Sequence, residues 1–197
     1  MGTIQKENWK PGTMLAPVPV VMVSCQANGE EANIITVAWV GTVCSEPPML
    51  SISVRPSRHS FSIIRDSGEF VVNLPSSSLA DVTDKCGVIS GSKVNKFKET
   101  GLTPMPAKTV RAPIIAECPV NIECKVKQQI ELGTHVLFLA EITGVQVSSH
   151  LVGKDGRLAL EKAGLITIAH GNYYSLGKYL GHFGFSVRKK KLHTRRD

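Results

Sequence analysis

The side chains best suited to chemistry in this chain lie in one short run, Arg55-Pro56-Ser57-Arg58-His59-Ser60. A guanidinium is planar, permanently charged and carries forked N–H donors that match phosphate oxygens. The run follows Met49-Leu50-Ser51-Ile52-Ser53-Val54. Strand side chains alternate, so Leu50, Ile52 and Val54 point one way while Ser51, Ser53 and Arg55 point the other. A short helix is predicted just beyond, capped by Ser57 or Ser60, carrying Phe61, Ile63 and Ile64 and closed by Gly68. Helix-start amides lack intrahelical partners and sit at the positive end of the dipole. A polar strand face, two arginines, a histidine and a helix start together suit a phosphorylated ligand. A solvated basic loop is the competing reading.

Two other stretches bear on the same chemistry. Thr36-Val37-Ala38-Trp39 is predicted on a strand beside the Met49–Arg55 strand, where a small residue next to a large aromatic makes a flat-walled slot for a planar heterocycle. Tryptophan also commonly fills a core. Ser90-Gly91-Ser92-Lys93-Val94-Asn95-Lys96-Phe97 supplies further cations that could close the site from another loop, although such lysines are more often surface residues. Nucleophilic catalysis finds little support: there is no G-x-S-x-G elbow, and the polar strand face has no paired carboxylates. Chemistry is therefore expected from a bound cofactor, which the protein positions and tunes.

The elements that must hold these residues are mostly strands. Val18–Ser24 and Asn33–Val40 read as a strand pair joined at Ala27-Asn28-Gly29-Glu30, because Asn-Gly is a strong hairpin signal. Glu69–Leu74 is a strand stopped by Pro75, and Leu79, Val82 and Cys86 recur at helical spacing. Val94–Glu99 reads as a second short helix before Gly101. Val120–Lys127 alternates cleanly and pairs with Val136–Val147 around a turn at Leu132-Gly133-Thr134. Leu165–Ala169 is the last strand before His170–Gly184. The order favours a mainly β fold, an antiparallel barrel with peripheral helices. The absence of G-x-G-x-x-G and of a P-loop excludes a Rossmann-type nucleotide turn.

Composition narrows the class further. The chain has 197 residues and a formal charge of +7, but its last ten residues carry six Lys/Arg and one acid. Positions 1–187 then hold 17 basic against 15 acidic residues, so the body is near neutral. We expect one domain over 1–187 and a basic tail over 188–197, with nucleic-acid binding through that tail the weaker reading. The five cysteines are scattered, with no C-x-x-C, which argues against a zinc site or a redox dithiol. Free thiols, no signal-like N-terminus and no bilayer-length apolar run lead to the expectation of a cytoplasmic protein without membrane contact.

In order and spacing, the pieces resemble the flavin reductase-like FMN-binding split-barrel family, which includes flavoredoxin and the archaeal ferric reductase. The resemblance runs from about Pro11 to Gly184. It rests on Pro17–Val20, Ala32–Trp39, Pro47–Ser60, Gly68–Pro75 and Ser90–Phe97. It implies an antiparallel split β-barrel of Greek-key type and an FMN-bearing homodimer with the flavin near the interface. By position, Thr36, Val37, Ala38 and Trp39 would meet the isoalloxazine, and Ser51, Ser53, Val54 and Arg55 the ring edge and ribityl chain. Arg58, His59 and Ser60 would take the phosphate, with Lys96 closing over it. His170, Tyr173 and Tyr174 would cover the exposed flavin face. Two departures stand out: His59 replaces a frequent aromatic and Asn95 a frequent aspartate. No protein side chain is expected to act catalytically. The resemblance implies hydride or electron transfer through flavin N5, from NAD(P)H or a redox protein partner to flavin, ferric iron or a protein. A non-catalytic FMN electron carrier is the alternative.

Overall fold

Each face of the sheet has something to bury, and this determines the architecture. A computed structural model describes residues 4–187; the basic segment 188–197 lies outside the described residues. The strands are β1 (Val18–Pro19), β2 (Val21–Cys25), β3 (Asn33–Val37), β4 (Val40–Ser45), β5 (Pro48–Val54) and β6 (Glu69–Leu74). They continue with β7 (Pro104–Met105), β8 (Ile114–Ile115), β9 (Val120–Leu132), β10 (His135–Val147), β11 (Ile166–Ala169) and β12 (Asn172–Ser175). Three α-helices, α1 (His59–Ser67), α2 (Ala80–Val88) and α3 (Lys96–Thr100), and four three-residue 3-10 turns complete the regular structure of the described residues.

Seven strands form one antiparallel sheet in the order β3-β2-β6-β9-β10-β5-β4. Its middle is the long β9–β10 hairpin, turning at Gly133 with φ +60° and bent by register shifts at Leu139/Ala140 and Ile142/Gly144. Such bulges increase local twist and help the sheet to coil. β3 and β4 are consecutive in sequence yet stand at opposite ends of the sheet, so the chain between them closes the barrel. At that seam the Ser53 amide donates to the Trp39 carbonyl at 2.9 Å.

The alternation read from the sequence is borne out in β5: Leu50, Ile52 and Val54 are buried, Ser51 and Ser53 are half-buried and Arg55 is exposed. The interior is filled by Val21, Val23, Ile35, Ile52, Phe70, Phe138 and others, with Ile63 and Ile64 of α1 packed against them. β2 is buried on both faces. Its other face carries Met22, which joins Ile34, Cys86, Phe97 and Ile115 beneath α2 and α3.

The sequence reading of one strand over Asn33–Val40 needs correction. The strand stops at Val37, the chain turns at Ala38-Trp39, and β4, which the pattern did not reveal, pairs with β5. Every residue from Ile34 to Val40 except Ala38 is a good strand former, so local preference gave no sign of the corner. Closure of the barrel imposes it. Glu69–Leu74 has the predicted bounds, and Gly68 and Gly101 end α1 and α3 with φ +69° and +71° as expected of left-handed caps.

Candidate functional site

Two adjoining cavities open at the barrel seam. The first, of about 320 Å³, is lined by Arg55, Ser57, Arg58, His59 and Ser60 on one side. Asn33, Ile35, Gly87, Ile89, Ser90, Gly91 and Lys96 line the other. The second, of about 180 Å³, is bounded by Ile35–Trp39, Ser53–Arg55, Arg58 and His135. Ile35, Arg55 and Arg58 belong to both walls, so the two form one trough with a cationic end and a flat aromatic end.

At the cationic end, α1 begins differently from expectation. The residue at its N-cap is Arg58, with φ −80° and ψ 135°, and no side chain caps the helix. Ser60 is instead buried, its Oγ accepting a hydrogen bond from Asn33 Nδ2 at 2.7 Å. The Phe61 amide turns back to the Arg58 carbonyl at 2.9 Å, and with no side-chain cap the His59 and Ser60 amides are the ones that make this helix start receptive to an anion. Arg58 leans on the end of α2 through Nη1 and the Gly87 carbonyl at 3.4 Å.

Lys96 forms part of the floor and does not close over the cavity from above. It is 3% exposed, and its Nζ donates to the carbonyls of Ile34 and Cys86, each at 2.7 Å. An ammonium has three donors, so one remains beyond these two bonds. Burial lowers its pKa, as does neighbouring Arg58, while Cys86 and Cys25 act the other way. An incoming phosphate would relieve that strain on the charge. Buried Cys25 is pushed up to about 12, so it is an inert thiol.

The aromatic end is built by the corner. Trp39 is 45% exposed and stands against His135, with ring centroids 4.4 Å apart and planes at 34°. Burial and the charge of Arg55 hold the His135 imidazole below its usual range. Thr36 is tied to α2 through its hydroxyl and the Thr83 carbonyl, and Val37 is buried in the core.

The structure thus brings together Thr36, Val37, Ala38, Trp39, Ser53, Val54, Arg55, Arg58, His59, Ser60 and Lys96 along one trough. Ser51 lies across Trp39, in a neighbouring groove. His170 also lies on that outer side, whereas the Tyr173 hydroxyl donates to Asp84 of α2 at 3.1 Å and is pushed up to about 12 by burial and that carboxylate. Tyr174 is exposed. Sequence reasoning missed Asn33 as the Ser60 partner, Gly87 and Ile89 as wall residues, and His135, which gave no local signal because it reaches the slot from a distant hairpin. Asn95 receives a role: its side chain caps α3 by accepting from the Lys98 amide at 3.0 Å, and its Nδ2 donates to Glu31 at 2.7 Å. An aspartate there would face the Glu31 carboxylate without a proton to donate.

A phosphate-bearing planar ligand fits this donor set. The cationic cavity is lined by guanidinium, ammonium, imidazole, hydroxyl and amide groups, with no carboxylate among the described residues. The fold is a split barrel, and residues 13–176 match the flavin reductase like domain, so the chain belongs to the flavin reductase-like family. It is similar in structure to the flavoredoxin of Desulfovibrio vulgaris (Miyazaki F), with a TM-score of 0.87 and 31% identity over 93% of this chain and 100% of that one. A flavoredoxin from Methanosarcina acetivorans gives 0.84 and 28%, covering 94% and 100%. An uncharacterised protein of Archaeoglobus fulgidus is 38% identical over 128 residues, 65% of this chain and 71% of its own.

Proposed function

We propose that this protein binds FMN and works as an oxidoreductase of the flavin reductase or flavoredoxin kind. It would pass hydride or electrons from NAD(P)H or a redox protein to flavin, ferric iron or a protein acceptor. The observation that carries this reading is the continuity of the trough: Arg55 and Arg58 line both the anion-receptive cavity and the slot beside Trp39. Arg58, His59, Ser60, the α1 amides and the spare Lys96 proton would hold the phosphate. Ser53 and Arg55 would hold the ribityl chain, and the Thr36–Trp39 corner the ring. FMN supplies reversible two-electron chemistry when bound. The chain's own part is to orient the ring at the seam and to balance charge with Arg55 and the backbone amides nearby. Purified protein mixed with FMN and desalted should retain the flavin absorbance, and anaerobic NADH or NADPH should bleach it. Desalted protein without flavin absorbance would refute the proposal.

A second reading, an FMN electron carrier that does not oxidise NAD(P)H, is favoured by one feature. The grooves on the outer side of Trp39 have no Lys or Arg in their walls among the described residues to receive a dinucleotide's phosphates. Slow bleaching by both nicotinamides with rapid reduction by a protein donor would select it.

We propose a homodimer for either reading. Trp9, Leu180 and Phe183 are exposed on the segments before β1 and after β12, and Val43 is exposed on edge strand β4. Monomers seldom leave this much apolar surface in water.

A further inference from the structure

The outer side of Trp39 differs in charge from the trough. One groove, of about 460 Å³, lies between Gly12–Leu15 and the wall of Val18, Ala38–Gly41 and Ser51. A second, of about 340 Å³, shares Thr13–Leu15, Val18, Ala38 and Trp39 and runs on to Ile168, His170 and Gly171. Volumes of this size are ordinary for small-molecule sites, which lie on the order of 300–1,000 Å³. Among the described residues, neither wall contains a Lys, Arg, Asp or Glu. Three cationic side chains, by contrast, line the phosphate end on the other side of the same tryptophan.

The polar group at the far end is held by the backbone. His170 and Gly171 form the turn of the β11–β12 hairpin, with φ +48° and +79°, and His170 is the one non-glycine residue of positive φ among the described residues. The hairpin is anchored to α2 by Tyr173 and Asp84, and to β1 through the Thr167 hydroxyl and the Val18 carbonyl. His170 therefore sits on an anchored hairpin at the more polar end of the second groove, and the mostly apolar first groove adjoins it at Trp39.

We propose that this groove binds an uncharged ring-bearing carbonyl compound of the quinone class, with His170 donating to its oxygen, and that such a compound is an electron acceptor of the protein. The proposal rests on the FMN reading for its redox part, but the groove and its charge do not depend on it. A charged acceptor would have to lose water in a groove with no partner for its charge, which is costly. An uncharged ring finds Met14, Leu15, Val18, Trp39 and Ile168. The balance is that of a two-electron reduction: a dihydronicotinamide and one proton from solvent give up a hydride and H⁺, and the quinone takes two electrons and two protons to become the hydroquinone.

The test uses the oxidised full chain in a Cys44→Ser background, since the other four thiols are buried and quinones react with accessible ones. Calorimetry compares menadione with naphthoquinone sulfonate, with FMN content read by absorbance in the same samples. Menadione should bind about tenfold more tightly than the sulfonate. Met14→Lys, at an exposed position, should reverse that order, and His170→Gly, which suits the turn, should weaken menadione about three- to tenfold. Met14→Lys should leave FMN content unchanged. Absence of menadione binding, equal affinity for both compounds, or an order that Met14→Lys leaves unchanged would overturn the proposal. Menadione binding in protein that retains no FMN would support the groove and refute the FMN reading.

Discussion

Gly91 lies so close to Asn33 that a Cβ at position 91 would stand 2.1 Å from Asn33 Oδ1. Asn33 in turn holds Ser60, the buried serine in the first turn of α1. The loop after α2 therefore sets, through one side chain, the position of the helix start that would receive a phosphate. Gly91→Ala must displace Asn33, and it should weaken FMN binding about tenfold while costing about 1–3 kcal/mol of stability. Fluorescence titration of FMN and denaturant unfolding would measure the two effects.

Arg58, at the N-cap of α1, and Arg65, in its last turn, offer a comparison. Arg58 lines the cavity, whereas Arg65 is engaged outside it, with its Nε 2.7 Å from Asp66 Oδ1. Hydrogen bonds to charged groups contribute about 1.5–3 kcal/mol, so Arg58→Ala should weaken FMN retention by roughly 10- to 100-fold. Arg65→Ala should leave it near the parent value. Equal retention in both variants, measured after desalting, would show that the phosphate lies elsewhere.

Glu123 connects stability to pH. This fully buried carboxylate accepts from the Lys108 and Thr109 amides, the Thr109 hydroxyl and Gln146. Burial alone would raise its pKa, but these donors outweigh it and hold the pKa below the usual 4.5. A lowered folded-state value means that the stabilisation is present above 4.5 and is lost as pH falls through the folded value. Glu123→Gln should cost about 1–3 kcal/mol at neutral pH and flatten the acid limb of a stability–pH curve. Denaturant melts between neutral and acidic pH would show both.

Assembly can be checked by light scattering. The intact chain should give twice the monomer mass, and removing residues 176–197 should shift it toward monomer, because Leu180, Phe183 and Val187 supply much of the exposed apolar surface. A monomeric parent chain would contradict the proposed dimer.

Strong local periodicity made much of this molecule legible in its sequence. β5, β6, the β9–β10 hairpin and the glycine ends of α1 and α3 follow from alternation and left-handed caps. The clustering of Arg55, Arg58, His59 and Ser60 also followed, since all four lie within one strand-to-helix turn. The Ala38-Trp39 corner was hidden because closure of a seven-stranded sheet is a property of the whole barrel and leaves no breaker in the sequence. Ser60 looked like a cap because the sequence could not show Asn33 waiting beside it. Lys96 resembled a surface lysine until the carbonyls of Ile34 and Cys86 gave its charge a buried place.

The account depends most on a flavin mononucleotide lying along the seam between Trp39 and Arg58. Its most direct measurement is a titration of flavin-free protein with FMN and, separately, with riboflavin, followed by flavin fluorescence. The account predicts saturable FMN binding at least about tenfold tighter than riboflavin, the difference vanishing in Arg58→Ala. Equal affinity for the two flavins in the parent protein, or no binding of either, would contradict it.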